Sequence, residues 1–454
     1  MKLKIDILTS KIETDNPELL KVLHDLYSFP VDGYQYSTAY KRRRWDGKKS
    51  YISKSGVFRT GLLFRLLDDL TKINAKFSVE YEYTEMGDVD ISHISKLPYY
   101  DYQKKAVEYI IAFGRGIVIA PTGAGKTLIM AGIIKSLQPK KMVILFKEKG
   151  ILNQTYKFLT DTCKLKNIGI NSGEGYIYGD IMLTTVQSIE KILDTHLHES
   201  EVLMADEVHQ FGKGDTTIAA IQAFPNARYR VGFTATLPSD KSDIHSRMTL
   251  EGAFGKPIET RSTQELIEDG KLTKPIIQII TNEFEVSGVD TYQEIYEACI
   301  VNNDMRNGKI RDIVSVIRKG CPGAKILILT KNLNHVSNLQ SMIPDSLTIE
   351  SKDNISDRYE IISEFRDKYK STVLIGTNVV QTGINIEEIT HMINARGLKG
   401  EIPTIQGLGR ALRVSKDKSV VYIYDFYDKI EYLESHSKTR IKHYKEQGHT
   451  IEYL

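Results

Sequence analysis

Short apolar runs alternate with helix-patterned stretches along most of the chain. A first series of runs rich in β-branched residues covers 116–120, 142–146, 181–185, 202–206 and 230–236, and a helix-patterned run, 128–137, follows the first of them. Apolar strands separated by amphipathic helical segments are typical of a parallel sheet with helical crossovers. This part of the chain is therefore expected to form one α/β domain.

A second series of candidate strands covers 276–280, 325–330, 372–377, 391–395 and 420–426. It predicts a second α/β domain, and the tail after residue 426 is expected to be helical. A polar stretch at 261–274 interrupts the pattern between the two series, whereas residues 1–97 do not follow it. The expected domains are a small α+β module at 1–97 and two α/β domains at 98–262 and 263–454.

Composition excludes several classes of protein. Apolar residues make up 41% of the 454 and charged residues 26%, which is ordinary for a soluble globular protein. The net charge of +3 is small, so any nucleic-acid contact must come from local clusters of Lys and Arg. Three dispersed cysteines do not make a disulfide or zinc framework, and no signal peptide or membrane span is visible. A soluble cytoplasmic protein, monomeric in solution, is expected.

The segment 120–127, Ala-Pro-Thr-Gly-Ala-Gly-Lys-Thr, lies between the first strand and the first helix. In that context backbone N–H groups and the helix N-terminus cradle phosphates, the lysine reaches the β and γ positions, and the threonine holds Mg2+. Ala120 stands where the strict pattern has glycine, and the alternative is a simple turn. The expected nucleotide-binding residues of this loop are Thr122, Gly123, Ala124, Gly125, Lys126 and Thr127.

Two adjacent carboxylates, Asp206 and Glu207, end an apolar strand. Open α/β sheets bind ligands at the carboxyl edge of their strands. Asp206 is expected to hold Mg2+, and Glu207 to polarise the attacking water as a general base. The alternative for such a pair is a helix N-cap.

Four motifs occur in the order seen in superfamily 2 helicases and translocases: the loop at 120–127, the box at 206–209, Thr-Ala-Thr at 234–236, and Gln-Gly-Leu-Gly-Arg-Ala-Leu-Arg at 406–413. The resemblance covers about residues 98–426. It implies two RecA-like domains that use ATP, with DNA as a partner.

Nucleotide-site roles follow from this resemblance. Gln103 resembles the glutamine that reads adenine, which favours ATP over GTP, and Gln406 is a further expected nucleotide contact. Arg410 and Arg413 are three residues apart, on one face if helical, and are the arginine-finger candidates. A solvated helix face is the alternative for the two arginines.

Other motif residues resemble those that couple ATP to DNA. The coupling candidates are His209, Thr234, Thr236 and Gly383. Contacts with the DNA backbone are expected from Thr184, Thr185, Gln187 and Thr377. Asn385 stands where many relatives have Asp, and strand-end capping is the alternative for the threonines.

A basic cluster surrounds the only tryptophan. The expected nucleic-acid contacts are Arg42, Arg43, Arg44, Trp45, Lys48 and Lys49, because cations neutralise phosphates and aromatic rings stack on bases. Residues 45–47 are expected to turn between two strands of a hairpin. The alternative is a solvated hairpin whose Trp45 packs in a small core.

With residues 29–34 and 45–47, this module resembles the N-terminal domain of UvsW-type phage recombination helicases. That resemblance implies ATP-driven branch migration, fork regression and unwinding in recombination, repair and replication, beside other recombination and replication proteins, in the bacterial host cytoplasm. Three alternatives stay open: an RNA helicase, a restriction-type motor without its nuclease, and an ATP-switched loader. No residue marks a strand-separating wedge.

Overall fold

The computed structural model describes residues 1–83, 99–173, 175–238, 240–285, 288, 290–350, 353, 355–367, 372–377, 388–399 and 420–454. The chain divides into two compact units. Unit 1 comprises residues 1–120 and 125–260, and unit 2 comprises residues 121–124 and 261–454. No helix in the described ranges is long and apolar enough to cross a membrane.

The N-terminal module, residues 1–83, is a four-stranded sheet with helices on it. The sheet order is β5-β2-β1-β6, in which only the β1–β6 pair is parallel. The strands of this sheet are β1 (Lys2–Ile5), β2 (Thr9–Glu13), β5 (Val57–Arg59) and β6 (Ser78–Tyr81), and a separate two-stranded sheet contains β3 (Ser28–Pro30) and β4 (Lys48–Ser50). The helices of the module are α1 (Pro17–Leu26), α2 (Thr38–Lys41) and α3 (Leu63–Lys72). Alternate residues of β1 and β2 point inward and bury Leu3, Ile5 and Ile12.

The hairpin expected around Trp45 takes a different form. β4 pairs with β3 in antiparallel register, so that Ser50 faces Ser28. The segment before Trp45 is not a strand but contains the short helix α2, which ends at Lys41. Gly47 has φ +81°, and a Cβ there would clash with the ring of Tyr34. Glycine is needed at that position on both counts. The turn thus joins a helix to a strand.

The rest of unit 1 is an α/β domain with an eight-stranded sheet of order β10-β9-β11-β8-β12-β13-β7-β14. Every pair is parallel except β10 with β9. The strands are β7 (Arg115–Ile119), β8 (Met142–Phe146), β9 (Ile168–Asn171), β10 (Tyr176–Ile177), β11 (Ile181–Thr185), β12 (Val202–Asp206), β13 (Tyr229–Thr234) and β14 (Pro257–Glu259). The helices are α4 (Asp101–Phe113), α5 (Lys126–Leu137), α6 (Lys149–Lys157), α7 (Leu193–His196), α8 (Asp215–Gln222) and α9 (Asp240–Phe254).

The N-terminal module is fastened to helix α9. Arg65 of α3 donates to the buried carboxylate of Glu251 (Nε to Oε2, 2.8 Å) and pairs with Asp240 (3.2 Å). The hydroxyl of Tyr51 lies 3.1 Å from Nδ1 of His245. Met248 of α9 belongs to the apolar core of the module. A shared core and a buried ion pair place the module and this α/β domain in one compact unit.

Unit 2 contains a seven-stranded, all-parallel sheet of order β17-β18-β16-β19-β20-β15-β21. The strands are β15 (Lys274–Glu283), β16 (Lys325–Leu329), β17 (Ser346–Ile349), β18 (Thr372–Gly376), β19 (His391–Asn394), β20 (Val420–Lys429) and β21 (Thr450–Tyr453). The helices are α10 (Thr263–Glu268), α11 (Tyr292–Tyr296), α12 (Asp304–Gly320), α13 (Leu333–Met342), α14 (Ile355–Phe365) and α15 (Leu433–Glu446). The predicted pair of RecA-like α/β domains is confirmed. The tail after residue 426 contains α15, as expected, but also the end of β20 and the strand β21, so it is helical only in part.

Two histidines are buried in unit 2. His335 of α13 is fully enclosed, and its Nε2 lies 3.0 Å from Oδ1 of Asn307. His391 of β19 stacks on Tyr422 of β20, with ring centroids 5.4 Å apart. Burial disfavours the imidazolium, which lowers the pKa of His335 to about 3 and that of His391 to about 4. Both rings are neutral at physiological pH.

Candidate active site

Three neighbouring parallel strands bring the expected ATP-site residues to one edge of the unit 1 sheet. β12, β13 and β7 are adjacent, and their carboxyl ends carry Asp206, Thr234 and the loop at 120–125. The backbone N–H of Ala120 donates to the carbonyl of Thr234 (2.9 Å), which ties two of these ends together. The topology therefore assembles the predicted site where open α/β sheets bind ligands.

The loop before α5 has the backbone conformation of a phosphate cradle. Gly123 and Gly125 have backbone φ angles of +89° and +82°, which residues with a side chain rarely adopt. Helix α5 begins directly after them, at Lys126. A Cβ at Gly125 would also clash with the carboxamide of Gln103. Ala124 is buried. Thr122 and the first two residues of α5, Lys126 and Thr127, are partly exposed, so a ligand can reach them.

Lys126 and Glu207 form an ion pair at the centre of the site. Nζ of Lys126 lies 3.3 Å from Oε1 of Glu207, and both side chains are mostly buried. Glu207 has φ +49°, an unusual backbone conformation for glutamate, and its N–H donates to Oδ1 of Asp206 (2.9 Å). The two carboxylates thus lie beside the lysine that is expected to bind phosphate.

The coupling candidates continue from Glu207. Nδ1 of His209 lies 3.4 Å from Oε2 of Glu207 and 2.9 Å from Oγ1 of Thr234. Oγ1 of Thr234 also accepts from the N–H of Thr236 (3.2 Å). A continuous series of polar contacts therefore runs from Lys126 to the Thr-Ala-Thr turn.

The two carboxyl groups differ in acidity. Burial, with the adjacent charge of Glu207, raises the pKa of Asp206 to about 7. Burial also acts to raise the pKa of Glu207, but the charge of Lys126 and the hydrogen bond from His209 outweigh it and lower the pKa to about 2. Glu207 is therefore ionised, as a general base must be.

The residues present fit Mg2+ and a nucleotide triphosphate. The charge of Asp206 is disfavoured by burial, so a divalent cation next to it would stabilise the carboxylate. Thr127 offers its hydroxyl at the N-terminus of α5, where the helix dipole favours phosphate. Asp206 and Thr127 are the residues that would hold the metal, and this role stays a prediction.

Gln103, the residue expected to read adenine, is not exposed to solvent in the structure. It is the third residue of α4, it is buried, and its Oε1 accepts from the N–H of Tyr100 (3.0 Å). This is a helix-capping role. Its Nε2 lies against Gly125. The reading of adenine by Gln103 stays a prediction.

The residues expected to contact the DNA backbone differ in how far they are exposed to solvent. Thr184 and Thr185 are buried, and their hydroxyls hydrogen-bond to the carbonyl of Thr185 (3.1 Å) and to Ser188 (3.1 Å). Gln187 is exposed, and Thr377 is nearly buried after β18. A phosphate approaching the first segment would therefore meet Gln187, while contact with the threonines stays a prediction.

A basic groove lies on the N-terminal module. It is lined by His24, Tyr40, Lys41, Arg43, Arg44, Trp45, Asp46, Lys48, Ser50 and Lys54, with a volume of about 800 Å3. Trp45 is half-buried and donates Nε1–H to the carbonyl of Lys48 (2.7 Å), whereas Arg42, Arg43, Arg44, Lys48 and Lys49 are exposed. None of these five cations takes part in an ion pair within the described ranges.

Sequence reasoning missed three basic residues of this groove, His24, Lys41 and Lys54. His24 lies in the last turn of α1 and Lys54 follows β4, so both come to the groove only through the pairing of β3 with β4. Recognising that pairing would have required a partner strand at 28–30. Gly383, Gln406, Arg410 and Arg413, together with Asn385, lie outside the described residues.

Two family models match the chain. Residues 96–239 match "Type III restriction enzyme, res subunit", and residues 308–415 match "Helicase conserved C-terminal domain". These are the two motor domains of the superfamily expected from the motifs. The chain belongs to helicase superfamily 2 and is an ATP-dependent helicase.

Individual relatives agree with this assignment. The chain is 23% identical over 475 residues to the ATP-dependent DNA helicase uvsW of Enterobacteria phage T4, covering 94% of this chain and 93% of the relative. It is 24% identical to the DNA 3'-5' translocase XPB2 of Sulfurisphaera tokodaii, covering 72% and 81%. The structure of a putative type I restriction HsdR subunit fragment from Vibrio vulnificus shares the fold with a TM-score of 0.59, at 17% identity over 94% of this chain and 83% of that one.

Proposed function

We propose that this helicase acts on DNA, and on branched DNA in particular, migrating Holliday junctions and regressing or unwinding forks. The observation that carries the proposal is the basic groove around Trp45, which stands in the same compact unit as Lys126, Asp206 and Glu207. Exposed cations that pair with no carboxylate are available to phosphates. Similarity to uvsW along 94% of the chain, the N-terminal module included, supports it.

Hydrolysis would rest on four groups of this chain. Lys126 is expected to leave Glu207 and bind phosphate, because a bound triphosphate offers it more negative charge than one carboxylate. Glu207, ionised and partly freed, is then expected to take a proton from the attacking water. Asp206 and Thr127 would hold Mg2+, which neutralises charge on the phosphates.

His209 is expected to report the state of the site. It contacts Glu207 on one side and Thr234 on the other, so a shift of Glu207 changes the hydrogen bonding of the Thr-Ala-Thr turn. Arg410 and Arg413 are proposed as arginine fingers, with Gln406 on the nucleotide and Gly383 in coupling. Movement of DNA would follow from alternating grip by the two motor domains.

The test is ATP hydrolysis and strand-product formation on a synthetic mobile four-way junction, compared with linear duplex, single-stranded DNA and RNA. Junction-stimulated hydrolysis with ATP-dependent exchange of arms is the expected result. Preference for RNA would favour an RNA helicase, and translocation on linear duplex without arm exchange would favour a restriction-type motor. Slow hydrolysis without any strand movement would favour an ATP-switched loader.

A further inference from the structure

Three consecutive large side chains are exposed at the edge of the unit 1 sheet. Tyr176, Ile177 and Tyr178 are 45%, 55% and 48% exposed. The first two form β10, which pairs antiparallel with β9, so the described residues 168–173 and 175–180 make a hairpin, called here the edge hairpin. An edge strand that presents aromatic and aliphatic groups without a charge invites unwanted pairing. Such a surface is expected to have a partner.

The base of the edge hairpin is rigid. Gly169 and Gly179 approach so closely that a Cβ on either would clash with the other's backbone. Asp180 accepts hydrogen bonds from the hydroxyl of Tyr178 (3.1 Å) and from the amide of Asn167. The ring of Tyr178 also packs on the buried His196, with centroids 5.8 Å apart. Tyr178 therefore anchors the hairpin, and Tyr176 is presented on a fixed support.

The far end of the edge hairpin adjoins the segment expected to contact the DNA backbone. Asn171, the residue opposite Tyr176, donates its amide to the carbonyl of Ser188 (2.6 Å), next to the exposed Gln187. A Cβ on Gly173 would lie 3.5 Å from Oγ of Ser188 and 3.7 Å from Nζ of Lys149. Lys149 opens α6, directly after β8. Tyr176 thus lies at the edge where β8 and β11 end.

We propose that the edge hairpin is a second nucleic-acid contact, in which Tyr176 stacks on a base at the point where duplex strands part. Flat aromatic rings stack on any base, whereas the neighbouring Lys149, Gln187 and Ser188 suit phosphates. A ring fixed beside the backbone contacts can hold a separated base while the motor advances. This inference rests on the proposed function and adds a strand-separating element to it.

The test compares Tyr176→Ala and Tyr176→Phe with Tyr453→Ala, a control at an exposed tyrosine of another edge strand, β21. Each variant is assayed for hydrolysis stimulated by single-stranded DNA and for strands separated per ATP on a fork. We expect Tyr176→Ala to lower strands separated per ATP by about tenfold while hydrolysis stays within about twofold, and Tyr176→Phe to restore it, because stacking needs the ring and not the hydroxyl.

A second measurement locates the contact directly. A fluorescent base analogue placed at the fork should be quenched by the wild-type protein and by Tyr176→Phe, and not by Tyr176→Ala. Equal behaviour of Tyr176→Ala and Tyr453→Ala in both assays would overturn the inference, as would a parallel loss of hydrolysis and separation. If DNA does not stimulate ATP hydrolysis by the wild-type protein, the proposed function is overturned together with this inference. Failure of the inference alone is therefore distinguishable from failure of the proposed function.

Discussion

Arg65 of the N-terminal module and Glu251 of the first motor domain form an ion pair in which the carboxylate is almost fully enclosed, with 2.8 Å between Nε and Oε2. Glu251 is shared, because Arg247 on the same helix also pairs with it. Arg65 reaches Asp240 too, at the beginning of α9. The module is thus held by charge as well as by its shared core.

Arg65→Met is expected to destabilise unit 1. The change leaves a buried carboxylate with one guanidinium in place of two, so we expect a loss of about 2–3 kcal/mol, below the full cost of an unpaired buried charge. Chemical denaturation measures it. Lys2→Gln, which breaks the exposed pair with Glu80, is the control and should cost less than about 1 kcal/mol. Equal losses in the two variants would contradict a structural role for Arg65.

Lys126→Ala should abolish ATP hydrolysis, with a fall of at least about a thousandfold, because it removes the charge expected to act on the phosphates. DNA affinity without nucleotide should change little, since the side chain faces Glu207. Steady-state hydrolysis and a binding titration give the two values. Lys140→Ala, at an exposed lysine after α5, is the control. Persistent DNA-stimulated hydrolysis by Lys126→Ala would refute the site.

His209→Ala is expected to separate hydrolysis from its stimulation by DNA. The substitution interrupts the contacts between Glu207 and Thr234, so the stimulated rate should fall about tenfold while the unstimulated rate falls less. The ratio of the two rates is the measurement. His198→Ala, at an exposed histidine, serves as the control. An unchanged ratio would leave His209 with a structural role only.

Neutralising Arg42, Arg43, Arg44, Lys48 and Lys49 to Gln should weaken junction binding. Each lost phosphate contact lowers the slope of log affinity against log salt by about 0.9, so the salt dependence should flatten. Titrations of a four-way junction at several salt concentrations test this. Lys11 and Lys76 changed to Gln, on the same module, are the control. If the groove variant and the control variant show the same slope of log affinity against log salt, the cluster around Trp45 does not bind DNA and Trp45 has only a packing role.

Unit 2 should lose stability in mild acid. The pKa of His391 falls from its usual value of 6.5 to about 4 in the folded state, so its contribution is complete above pH 6.5 and is lost as the pH falls towards 4. The loss for this residue is at most about 3 kcal/mol. Hydrogen exchange of residues 388–399 between pH 7 and 4.5 measures it. His391→Phe keeps the stacking on Tyr422 and should make the stability of unit 2 depend less on pH. A variant whose stability falls as steeply with acid as that of the wild type would contradict the prediction.

Strand positions in both motor domains were predictable because buried parallel strands are continuous apolar runs. The predictions 142–146, 181–185 and 202–206 coincide with β8, β11 and β12. β9, β10, β14, β17 and β21 were missed. β10 is two residues long and exposed, and β21 reads Thr-Ile-Glu-Tyr with a single partly buried aliphatic residue, so neither has the apolar pattern of a central strand.

The candidate site was predictable to the extent that its residues are consecutive in sequence. The loop at 120–127 and the box at 206–209 each occupy one turn after one strand, and adjacency of β12, β13 and β7 then brings them together. The groove and the edge hairpin depend on long-range contacts, such as Asn171 with Ser188, that no local spacing encodes. The capping role of Gln103 likewise needs the position of Tyr100 to be seen.

The left-handed backbone of Glu207 sets stability and activity against each other. A glutamate at φ +49° costs about 1 kcal/mol or more relative to glycine, so Glu207→Gly should relax the chain while removing the expected base. Selection for thermal resistance alone would then favour an inactive protein. Engineering of a more thermostable variant should therefore measure ATP hydrolysis at every round of selection.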